Sequence, residues 1–543
     1  MVLLVDITEK SFGPKALFSH LNFSVDDGEK IGVIGRNGAG KTTLFNILTG
    51  ADTDFSGDLI PKRGATIVAT SQEYHDIGDQ TVIDYITTGL PEFADLERAI
   101  NEFPNLESPS RKQIAAYSEA IERFTDKGYY FIEDRIRQAL ESFQLEHLAE
   151  RPFSTLSGGE KRLSEIVKIM LSDSHLALID EPTNYMDYVA KGQFIEWLDE
   201  APEAILVITH DRDVLAHVDR IIEIKDGGAA SYPGNYSDYL IQNSNRTVTS
   251  MNEYEIVQRR IENLKKQIAD ARRKKPMWSG TADKRNPFVV IEERCQRELK
   301  KLLEIERPSF WIDKTSVTEL DYKNSARYDK YKAKNIRIDL KSSESRSRRS
   351  LISASELSIG YEVPIAAGIN FDIHEGELLE IRGRNGAGKT TLIKAILGLD
   401  GPKIFDGEAK IDPHARISIY EQEVNDKFFG LTLLEAIERI YFDRGLSCPE
   451  QKIRTIMSNY LFTEADRVIR VRDLSGGQKA RLQIIAMLAT DPDLLILDEP
   501  TSHLDLPSIE ELEAAIAKYK GAIIYISHDN YFRDKLGGTI IQL

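Results

Sequence analysis

The sequence has few of the residues that mark secreted, metal-binding or membrane-spanning proteins. Its two cysteines, Cys295 and Cys448, lie in different regions and form no Cys-x-x-Cys pattern, so neither a disulfide framework nor a zinc site is expected. No run approaches the roughly 18 apolar residues that a transmembrane helix needs. The first residues, MVLLVDITEK, lack the basic start and long apolar core of a signal peptide. We therefore expect a cytoplasmic protein without a membrane segment.

Length and charge predict several domains and one basic region. A chain of 543 residues exceeds what a single hydrophobic core normally supports. The net charge of −17 argues against indiscriminate binding to nucleic acid. Residues 258–341 nevertheless contain 23 Lys and Arg against 13 Asp and Glu, a local charge of +10 that leaves −27 for the rest. A polyanionic partner is therefore expected to contact the middle of the chain.

One series of motifs occurs twice. GRNGAGKTTL occupies residues 35–44 and 383–392, LSGG occupies 156–159 and 474–477, and DEPT occupies 180–183 and 498–501. In each copy a histidine follows the DEPT glutamate by 29 positions. Apolar runs such as 30–34, 176–179 and 204–208 alternate with helical patterns, as is typical of buried parallel strands in an α/β fold. The sequence therefore predicts two copies of one α/β domain.

Each GRNGAGKTT segment has the form GxxxxGK[ST], in which backbone amides and a helix N-terminus bind phosphate. The glycines let the backbone approach the anion, the lysine reaches the β- and γ-phosphates, and the threonine after it is expected to bind Mg²⁺. The candidate residues are Gly35, Arg36, Asn37, Gly38, Ala39, Gly40, Lys41, Thr42 and Thr43, and Gly383, Arg384, Asn385, Gly386, Ala387, Gly388, Lys389, Thr390 and Thr391. Two matches, each between a strand and a helix pattern, predict two ATP sites.

Each DEPT segment follows an apolar run, LALI or LLIL, so that its two carboxylates come at the end of a buried strand. The aspartate is expected to hold Mg²⁺ and the glutamate to polarise the attacking water. The later histidines, in ITHD and ISHD, can contact the γ-phosphate. The catalytic candidates are Glu181, Glu499, His210 and His528, and the metal candidates are Asp180 and Asp498 with Thr42 and Thr390.

Together these motifs resemble the ATP-binding cassette superfamily, in which the LSGG of one cassette contacts the γ-phosphate bound by the other. The resemblance implies a monomer whose two cassettes close over two ATP molecules. It assigns Gln72 and Gln422 to ATP and Mg²⁺, and Phe12 and Tyr361 to stacking on adenine. The LSGG residues that it adds are Ser157, Gly158, Gly159, Glu160, Ser475, Gly476, Gly477 and Gln478. One site would combine Lys41, Asp180, Glu181 and His210 with Ser475, Gly476 and Gly477, and the other Lys389, Asp498, Glu499 and His528 with Ser157, Gly158 and Gly159.

The two copies differ in two places. The superfamily usually has an NHLD-like turn after DEPT, and residues 502–505 read SHLD, but residues 184–187 read NYMD. Because this turn crosses the cassette interface in the family, the two sites are expected to hydrolyse ATP at different rates. The first copy also holds roughly 32 extra residues within about 90–140, where the spacing predicts a helical hairpin. This insertion is either a surface decoration or an extra docking arm.

The segment between the copies predicts a helical hairpin. Ile261, Leu264 and Ile268 share one helical face, as do Ile291, Cys295, Leu299 and Leu302, and helices of 25 to 30 residues would extend roughly 40 Å. We therefore predict domains at 1–242, 243–350 and 351–543, the middle one being a long α-helical hairpin linker. Its predicted tip, about 272–288, is basic and aromatic and suits RNA, through Arg272, Arg273, Lys274, Lys275, Met277, Trp278, Lys284, Arg285 and Phe288. Tyr328 and Tyr331, which lie near Lys330, Lys332 and Lys334, would extend this basic and aromatic surface towards the second copy. A charged spacer is the alternative for the tip.

This architecture resembles the F family of ATP-binding cassette proteins, including the phrase YPGNY at 232–236 before the linker. The resemblance implies a ribosome-binding ATPase that occupies the E site when closed on ATP and extends its linker towards P-site tRNA and the peptidyl transferase centre. ARRKKPMWS at 271–279 resembles the subgroup that protects ribosomes from antibiotics, whereas the insertion resembles the arm of housekeeping members. Resistance and translational regulation therefore both stay open.

Two other functions remain as alternatives. The chain could be the ATP-hydrolysing subunit of a membrane transporter, but that role offers no reason for a basic hairpin with a tryptophan at its tip. It could also be a DNA-repair ATPase. Those proteins carry zinc modules, and two isolated cysteines argue against such a module here.

Overall fold

A computed structural model of the protein describes residues 1–13, 15–71, 78–105, 110–184, 186–278, 286–303, 305, 311, 313, 316–317, 320, 322–336, 338, 349–399, 401–421, 424–489 and 492–543. The chain divides into two compact units. One unit contains Met1–Tyr236 and Ile336–Leu543, and therefore both motif series. The other unit is Ser237–Asn335.

The first repeat comprises β1 to β9. Its strands are β1 (Leu3–Phe12), β2 (Lys15–Val25), β3 (Lys30–Gly35), β4 (Ser56–Pro61), β5 (Ile67–Ala69), β6 (Leu176–Asp180), β7 (Ala204–Ile208), β8 (Arg220–Lys225) and β9 (Gly228–Pro233). Its helices are α1 (Lys41–Leu48), α2 (Val82–Thr88), α3 (Phe93–Glu102), α4 (Arg111–Asp126), α5 (Ile132–Ser142), α6 (Gly158–Leu171), α7 (Tyr188–Glu200) and α8 (Arg212–Leu215). β2-β1-β4 form one sheet and β5-β6-β7-β3-β8-β9 another.

The second repeat comprises β10 to β17. Its strands are β10 (Ser350–Gly360), β11 (Pro364–His374), β12 (Leu378–Arg382), β13 (Lys403–Ile411), β14 (Ile417–Tyr420), β15 (Leu494–Asp498), β16 (Ala522–Ile526) and β17 (Thr539–Gln542). Its helices are α12 (Lys389–Ile396), α13 (Leu433–Phe442), α14 (Glu450–Asn459), α15 (Gly476–Met487), α16 (Leu506–Ile516) and α17 (Asn530–Leu536), α9 to α11 belonging to the other unit. The sheets are β11-β10-β13 and β14-β15-β16-β12-β17.

The central strands pair in parallel, as the apolar runs predict. β6 and β7 are buried at every residue, as are β15 and β16, and β3 is buried along most of its length. Strands covered on both faces read as continuous apolar runs rather than as alternating ones. The order β5-β6-β7-β3-β8 recurs as β14-β15-β16-β12-β17, so corresponding motifs occupy corresponding strand ends in the two repeats.

The insertion in the first repeat forms the predicted helical hairpin. Its helices, α3 and α4, are joined through residues 103–110, of which 106–109 lie outside the described part. Phe93 packs between the rings of Phe124 and Tyr129, with centroid distances of 5.5 and 5.2 Å. Aromatic contacts of this kind hold the two helices together.

The unit Ser237–Asn335 is helical, with α9 (Tyr236–Lys274), α10 (Pro287–Leu303) and α11 (Tyr322–Tyr331). Leu264 and Ile268 on α9 form a buried cluster with Cys295 on α10, and Leu299 and Leu302 pack against it. Ion pairs Arg260–Glu298 and Arg272–Glu292, both 2.7 Å, run in antiparallel register. The predicted antiparallel pairing is therefore confirmed.

Three details of this unit differ from the sequence prediction. α9 has 39 residues and a length of about 58 Å, because neither glycine nor proline interrupts the chain between Tyr236 and Lys274. Ile291, expected on the buried face of α10, is 43% exposed. Tyr328 and Tyr331, expected to extend the basic surface, are buried with Met251 of α9, since α11 is amphipathic and covers its apolar side.

Candidate active sites

The P-loops lie between a buried strand and a helix in both repeats. α1 begins at Lys41 after β3, and α12 begins at Lys389 after β12. Gly40 and Gly388, directly before these helices, have φ values of 100° and 95°, a left-handed conformation that favours glycine. A Cβ at Gly40 would also lie 2.7 Å from the ring of Phe18. In each repeat the loop therefore presents backbone amides and a helix N-terminus to the same place, which is the arrangement that phosphate binding requires.

The P-loop lysines lie over their own loops. Lys41 Nζ donates to the carbonyl oxygens of Gly35 and Arg36, at 2.8 and 3.4 Å. Lys389 Nζ donates to the carbonyl oxygens at 383 and 384, at 2.8 and 3.0 Å. Burial lowers the pKa of both lysines, although Glu181 and Glu499 oppose this by favouring the charged forms. An anion bound in the loop would offset this desolvation.

The DEPT carboxylates lie at the ends of β6 and β15. Thr390 Oγ1 donates to Asp498 Oδ2 at 2.7 Å, so two oxygen donors suited to Mg²⁺ are adjacent. Glu181 and Glu499 both have positive φ, 45° and 49°, which is rare for residues other than glycine and is found at functional sites. Burial raises the pKa of Glu181 to about 8 and of Glu499 to about 7. Both carboxyls can therefore exchange a proton near neutral pH.

Each glutamate has a histidine beside it. Nε2 of His528 lies 3.4 Å from Glu499 Oε1, and Nε2 of His210 lies 3.8 Å from Glu181 Oε1. Burial lowers the pKa of both imidazoles to about 3, so both are neutral at pH 7. Among the described residues, the ring nitrogens of His210 and Oε1 of Glu499 are buried without a hydrogen-bond partner. A ring nitrogen of His210 could donate to a phosphate oxygen, and Oε1 of Glu499 could accept from a water molecule.

The LSGG serines begin the helices that follow them. Ser157 caps α6 by accepting from the Glu160 amide, and Ser475 caps α15 by accepting from the Gln478 amide. The side chains of Glu160 and Gln478 accept in turn from the serine amides, at 2.7 and 3.0 Å. This reciprocal capping directs each helix N-terminus at the cavity that the serine lines.

Hydrogen bonds join each P-loop to the opposite repeat. The Asn37 amide donates to Asp505 Oδ2 at 3.1 Å and its side chain to the His503 carbonyl at 3.2 Å. In the other half, the Asn385 amide donates to Asp187 Oδ2 at 2.9 Å. A Cβ at Gly477 would lie 2.1 Å from Asn37 Nδ2, so LSGG contacts the opposite P-loop closely. The turn after DEPT therefore crosses the interface.

One cavity of about 1210 Å³ contains both candidate sites. The predicted residues that line it are Phe12, Asn37, Gly38, Gly40, Lys41, Thr42, Thr43, Ser157, Gly158, Asp180, Glu181, His210, Tyr361, Asn385, Gly386, Gly388, Lys389, Thr390, Thr391, Ser475, Gly476, Gly477, Asp498, Glu499 and His528. The other described residues of the prediction do not line it, and they are Gly35, Arg36, Ala39, Gly159, Glu160, Gly383, Arg384, Ala387 and Gln478. Gln72, Gln422 and Tyr185 lie outside the described residues. We name the site with Lys41 the first site and that with Lys389 the second site.

The predicted linker tip is only partly described, since Lys284 and Arg285 lie outside the described residues. Met277 is 78% exposed, whereas Trp278 and Phe288 are half-buried. Arg272 and Lys275 both pair with Glu292, at 2.7 and 3.4 Å, while Arg273 and Lys274 are exposed. Part of the positive charge at this end of α9 is therefore balanced within the hairpin.

The sequence reasoning missed a group of buried charges between the repeats. Lys191 on α7 contacts Asp211, Asp213 and the carbonyl of His528. Arg212 contacts Glu513 and Asp529 of the second repeat, at 2.5 and 3.1 Å. The sequence did contain one sign of this group. When the two copies are aligned so that His210 matches His528, Lys191 matches Ile509, so a charged residue in one copy replaces an apolar residue in the other.

Comparisons with known proteins agree with the two-repeat arrangement. A family model described as ABC transporter matches residues 18–184 and 366–502, and a second with the same description matches 222–316. Ribosome protection protein VmlR of Bacillus subtilis is 28% identical, over 98% of this chain and 85% of its own length. Energy-dependent translational throttle protein EttA of Mycobacterium tuberculosis is 28% identical, over 97% and 88%. ABC transporter F family member 5 of Arabidopsis thaliana is 28% identical, over 98% and 74%.

The fold also has a solved counterpart. A chain in the crystal structure of the complex of archaeal ribosomal stalk protein aP1 and archaeal ribosome recycling factor aABCE1 matches with a TM-score of 0.55 and 18% identity, over 99% of this chain and 87% of that one. The predicted α/β fold with paired cassettes and the resemblance to the F family are confirmed. Among the described helices, none has the length and apolar composition needed to cross a membrane.

Proposed function

We propose, since this chain belongs to the ABC transporter family of ATP-binding cassette proteins, that it hydrolyses ATP at two sites built jointly by its two repeats. The cassettes of this family are ATP-hydrolysing P-loop domains. The observation that carries the proposal is the pair of bonds from the Asn37 and Asn385 amides to Asp505 and Asp187 of the opposite repeats. A nucleotide in either P-loop would therefore lie between the repeats.

Glu181 and Glu499 are the general bases of this mechanism. Each carboxylate accepts a proton from the attacking water as the water oxygen bonds to the γ-phosphorus and the bond to the bridging oxygen of ADP breaks. Burial raises the pKa of both groups towards neutrality, which favours proton transfer at cellular pH. The neutral His210 and His528 donate an N–H to the γ-phosphate and keep it beside the base.

The metal ion has a suitable set of oxygen donors. Asp498 and Thr390 would hold Mg²⁺ in the second site, and Asp180 and Thr42 in the first. When bound, Mg²⁺ supplies positive charge that stabilises the phosphate oxygens. The P-loop lysines would add further positive charge to the same phosphate groups.

We further propose that the form closed on ATP binds the cytoplasmic ribosome near the E site and presents the linker tip to P-site tRNA and the peptidyl transferase centre. Two supports are the relatives named for ribosome protection and translational throttling, which align along nearly the whole chain. A third is the exposed Arg273, Lys274 and Met277 at the end of α9, which offer cations and apolar surface to RNA. Hydrolysis would then release the protein.

The outcome at the ribosome is either protection from antibiotics or regulation of translation. The relatives with these two names are equally similar to the chain, at 28% identity. Replacing residues 274–288 by a short Gly-Ser link should abolish drug protection while leaving the ATPase rate intact. Protection that survives this replacement would exclude the tip from the mechanism.

The central test is the double variant Glu181→Gln, Glu499→Gln, which binds ATP but lacks both bases. It should sediment with ribosomes when ATP is present and stay in the supernatant when ATP is omitted, which is the matched control. If it stays in the supernatant with ATP demonstrably bound, the ribosome proposal is wrong. An ATP-hydrolysing subunit of a membrane transporter would then become the better reading.

A further inference from the structure

In the group of buried charges between the repeats described above, the cations come from the first repeat. Lys191 is 4% exposed and Arg212 is 6% exposed, and both belong to the first repeat. With His210 aligned on His528, the equivalent residues of the second repeat are Ile509 and Asn530. Isoleucine has no donor, so residue 509 cannot make to His210 the contact that Lys191 makes to His528.

Lys191 joins three groups near the second site. It lies one turn after Asp187, the residue that caps α7 and accepts from the Asn385 amide. Its ammonium group contacts Asp211 at 2.9 Å, contacts Asp213, and donates to the carbonyl oxygen of His528 at 3.1 Å. The same cation therefore connects the start of α8 in one repeat with the histidine of the other.

The carboxylates keep this buried lysine charged. Burial disfavours the ammonium form, but Asp211 and Asp213 outweigh burial and raise the pKa of Lys191. Asn530 Nδ2 donates to Asp213 Oδ2 at 2.8 Å, which holds this carboxylate in place from the opposite repeat. Arg212, bonded to Glu513 and Asp529, lies on the same boundary. Buried ion pairs and hydrogen bonds of this kind rigidify the groups that they contact.

His528 is better placed beside its glutamate than His210 is. Its Nε2 lies 3.4 Å from Glu499 Oε1, against 3.8 Å between His210 and Glu181. Its amide donates to Glu499 Oε2 at 3.2 Å, a bond that the His210 amide also makes to Glu181. The hydrogen bond from Lys191 holds the carbonyl of this same residue. Because the backbone of His528 is held at both its N–H and its carbonyl, its imidazole has less freedom to leave the γ-phosphate position.

We propose that Lys191 is a positioning residue that acts across the interface, on the second site more than on the first. In the closed molecule it fixes His528 against Glu499, so hydrolysis at the second site depends on a side chain of the first repeat. The first site, with Ile509 in the equivalent place, works without such a contact. This inference rests on the proposed function, ATP hydrolysis at both sites.

The test uses single-site backgrounds of the full chain. Glu181→Gln leaves the second site active, and Glu499→Gln leaves the first. Lys191→Ile, which copies the residue of the other repeat, should lower kcat about ten-fold in the Glu181→Gln background, as expected when the charge-assisted hydrogen bond that orders His528 is lost. KM for ATP should stay unchanged there, kcat should fall less in the Glu499→Gln background, and Lys191→Arg should restore part of the loss.

A matched control separates positioning from general destabilisation. Lys30 is a buried lysine of the first repeat whose ammonium group donates to the carbonyls of Gly28, Ala201 and Glu203. Lys30→Ile should lower the melting temperature without changing the ratio of the two single-site rates. If Lys191→Ile lowers both sites equally, or raises KM instead of lowering kcat, the inference is wrong. If neither single-site background hydrolyses ATP, the proposed function itself fails.

Discussion

The first and second sites contain the same motifs but differ in how their side chains are held. In the second site the histidine Nε2 lies 3.4 Å from its glutamate, against 3.8 Å in the first site. Lys191 of the first repeat donates to the carbonyl of His528, whereas Ile509, in the equivalent place of the second repeat, has no donor for His210. The turn after DEPT also differs in sequence between the copies. Identical motifs can therefore form sites with different surroundings.

The largest expected effect comes from removing both general bases, and removing them singly ranks the two sites. Glu181→Gln and Glu499→Gln together should lower phosphate release by about 10³, as loss of a general base typically does. Each single variant should retain a measurable rate, and the Glu181→Gln protein should be faster because its remaining site has the better ordered histidine. Equal rates from the two single variants would contradict this ranking and show that the sites are equivalent.

A smaller loss of ATPase rate is expected when a side chain is added to the LSGG segment at 474–477, which contacts the first site. Gly477→Ala would place a Cβ 2.1 Å from Asn37 Nδ2, so the Asn37 side chain must move away from the opposite repeat before the first site can close. We expect at least a ten-fold, or about 1.4 kcal/mol, loss of rate in the Glu499→Gln background, measured as phosphate release at saturating ATP.

Gly192→Ala is the matched control for this change. Gly192 lies within α7, and a Cβ there would meet no atom within 4 Å among the described residues. Alanine should stabilise the helix slightly and leave the rate unchanged. A Gly477→Ala protein with normal activity would mean that the repeats close without this contact.

The smallest expected effect is on how the stability of the nucleotide-free protein depends on pH. Burial raises the pKa of Glu181 to about 8 and of Glu499 to about 7, above the usual 4.5. The folded protein then binds protons more tightly than the unfolded chain, so stability falls as pH rises from about 5 to about 8. The difference between the melting temperatures at pH 6 and pH 8 should become smaller in Glu181→Gln than in Glu499→Gln, because the pKa of Glu181 is raised further than that of Glu499. The opposite order would show that Glu499 is the more desolvated base.

Local motifs made much of the site predictable. The P-loops, the carboxylates after apolar strands and the histidines depend on neighbours a few residues away, and the structure gathers them in one cavity. Lys191 could not be found in this way, because its partners lie 20 or more residues away and include a backbone carbonyl of the other repeat. The extra length of α9 and the exposure of Ile291 were missed for a related reason. The spacing of apolar residues marks only the paired part of a helix, whereas α9 continues wherever glycine and proline are absent, and tertiary contacts decide which part of the apolar face is covered.

The reciprocal capping of Ser157 and Ser475 also determines how they can meet a ligand. Each hydroxyl oxygen already accepts from an amide of its helix, at 3.4 and 3.3 Å, which fixes the side-chain rotamer before any nucleotide is present. Its single hydrogen is then left to donate towards the cavity. A donor that is ordered in advance loses little rotational freedom on binding, so most of its hydrogen-bond energy is available to close the two repeats.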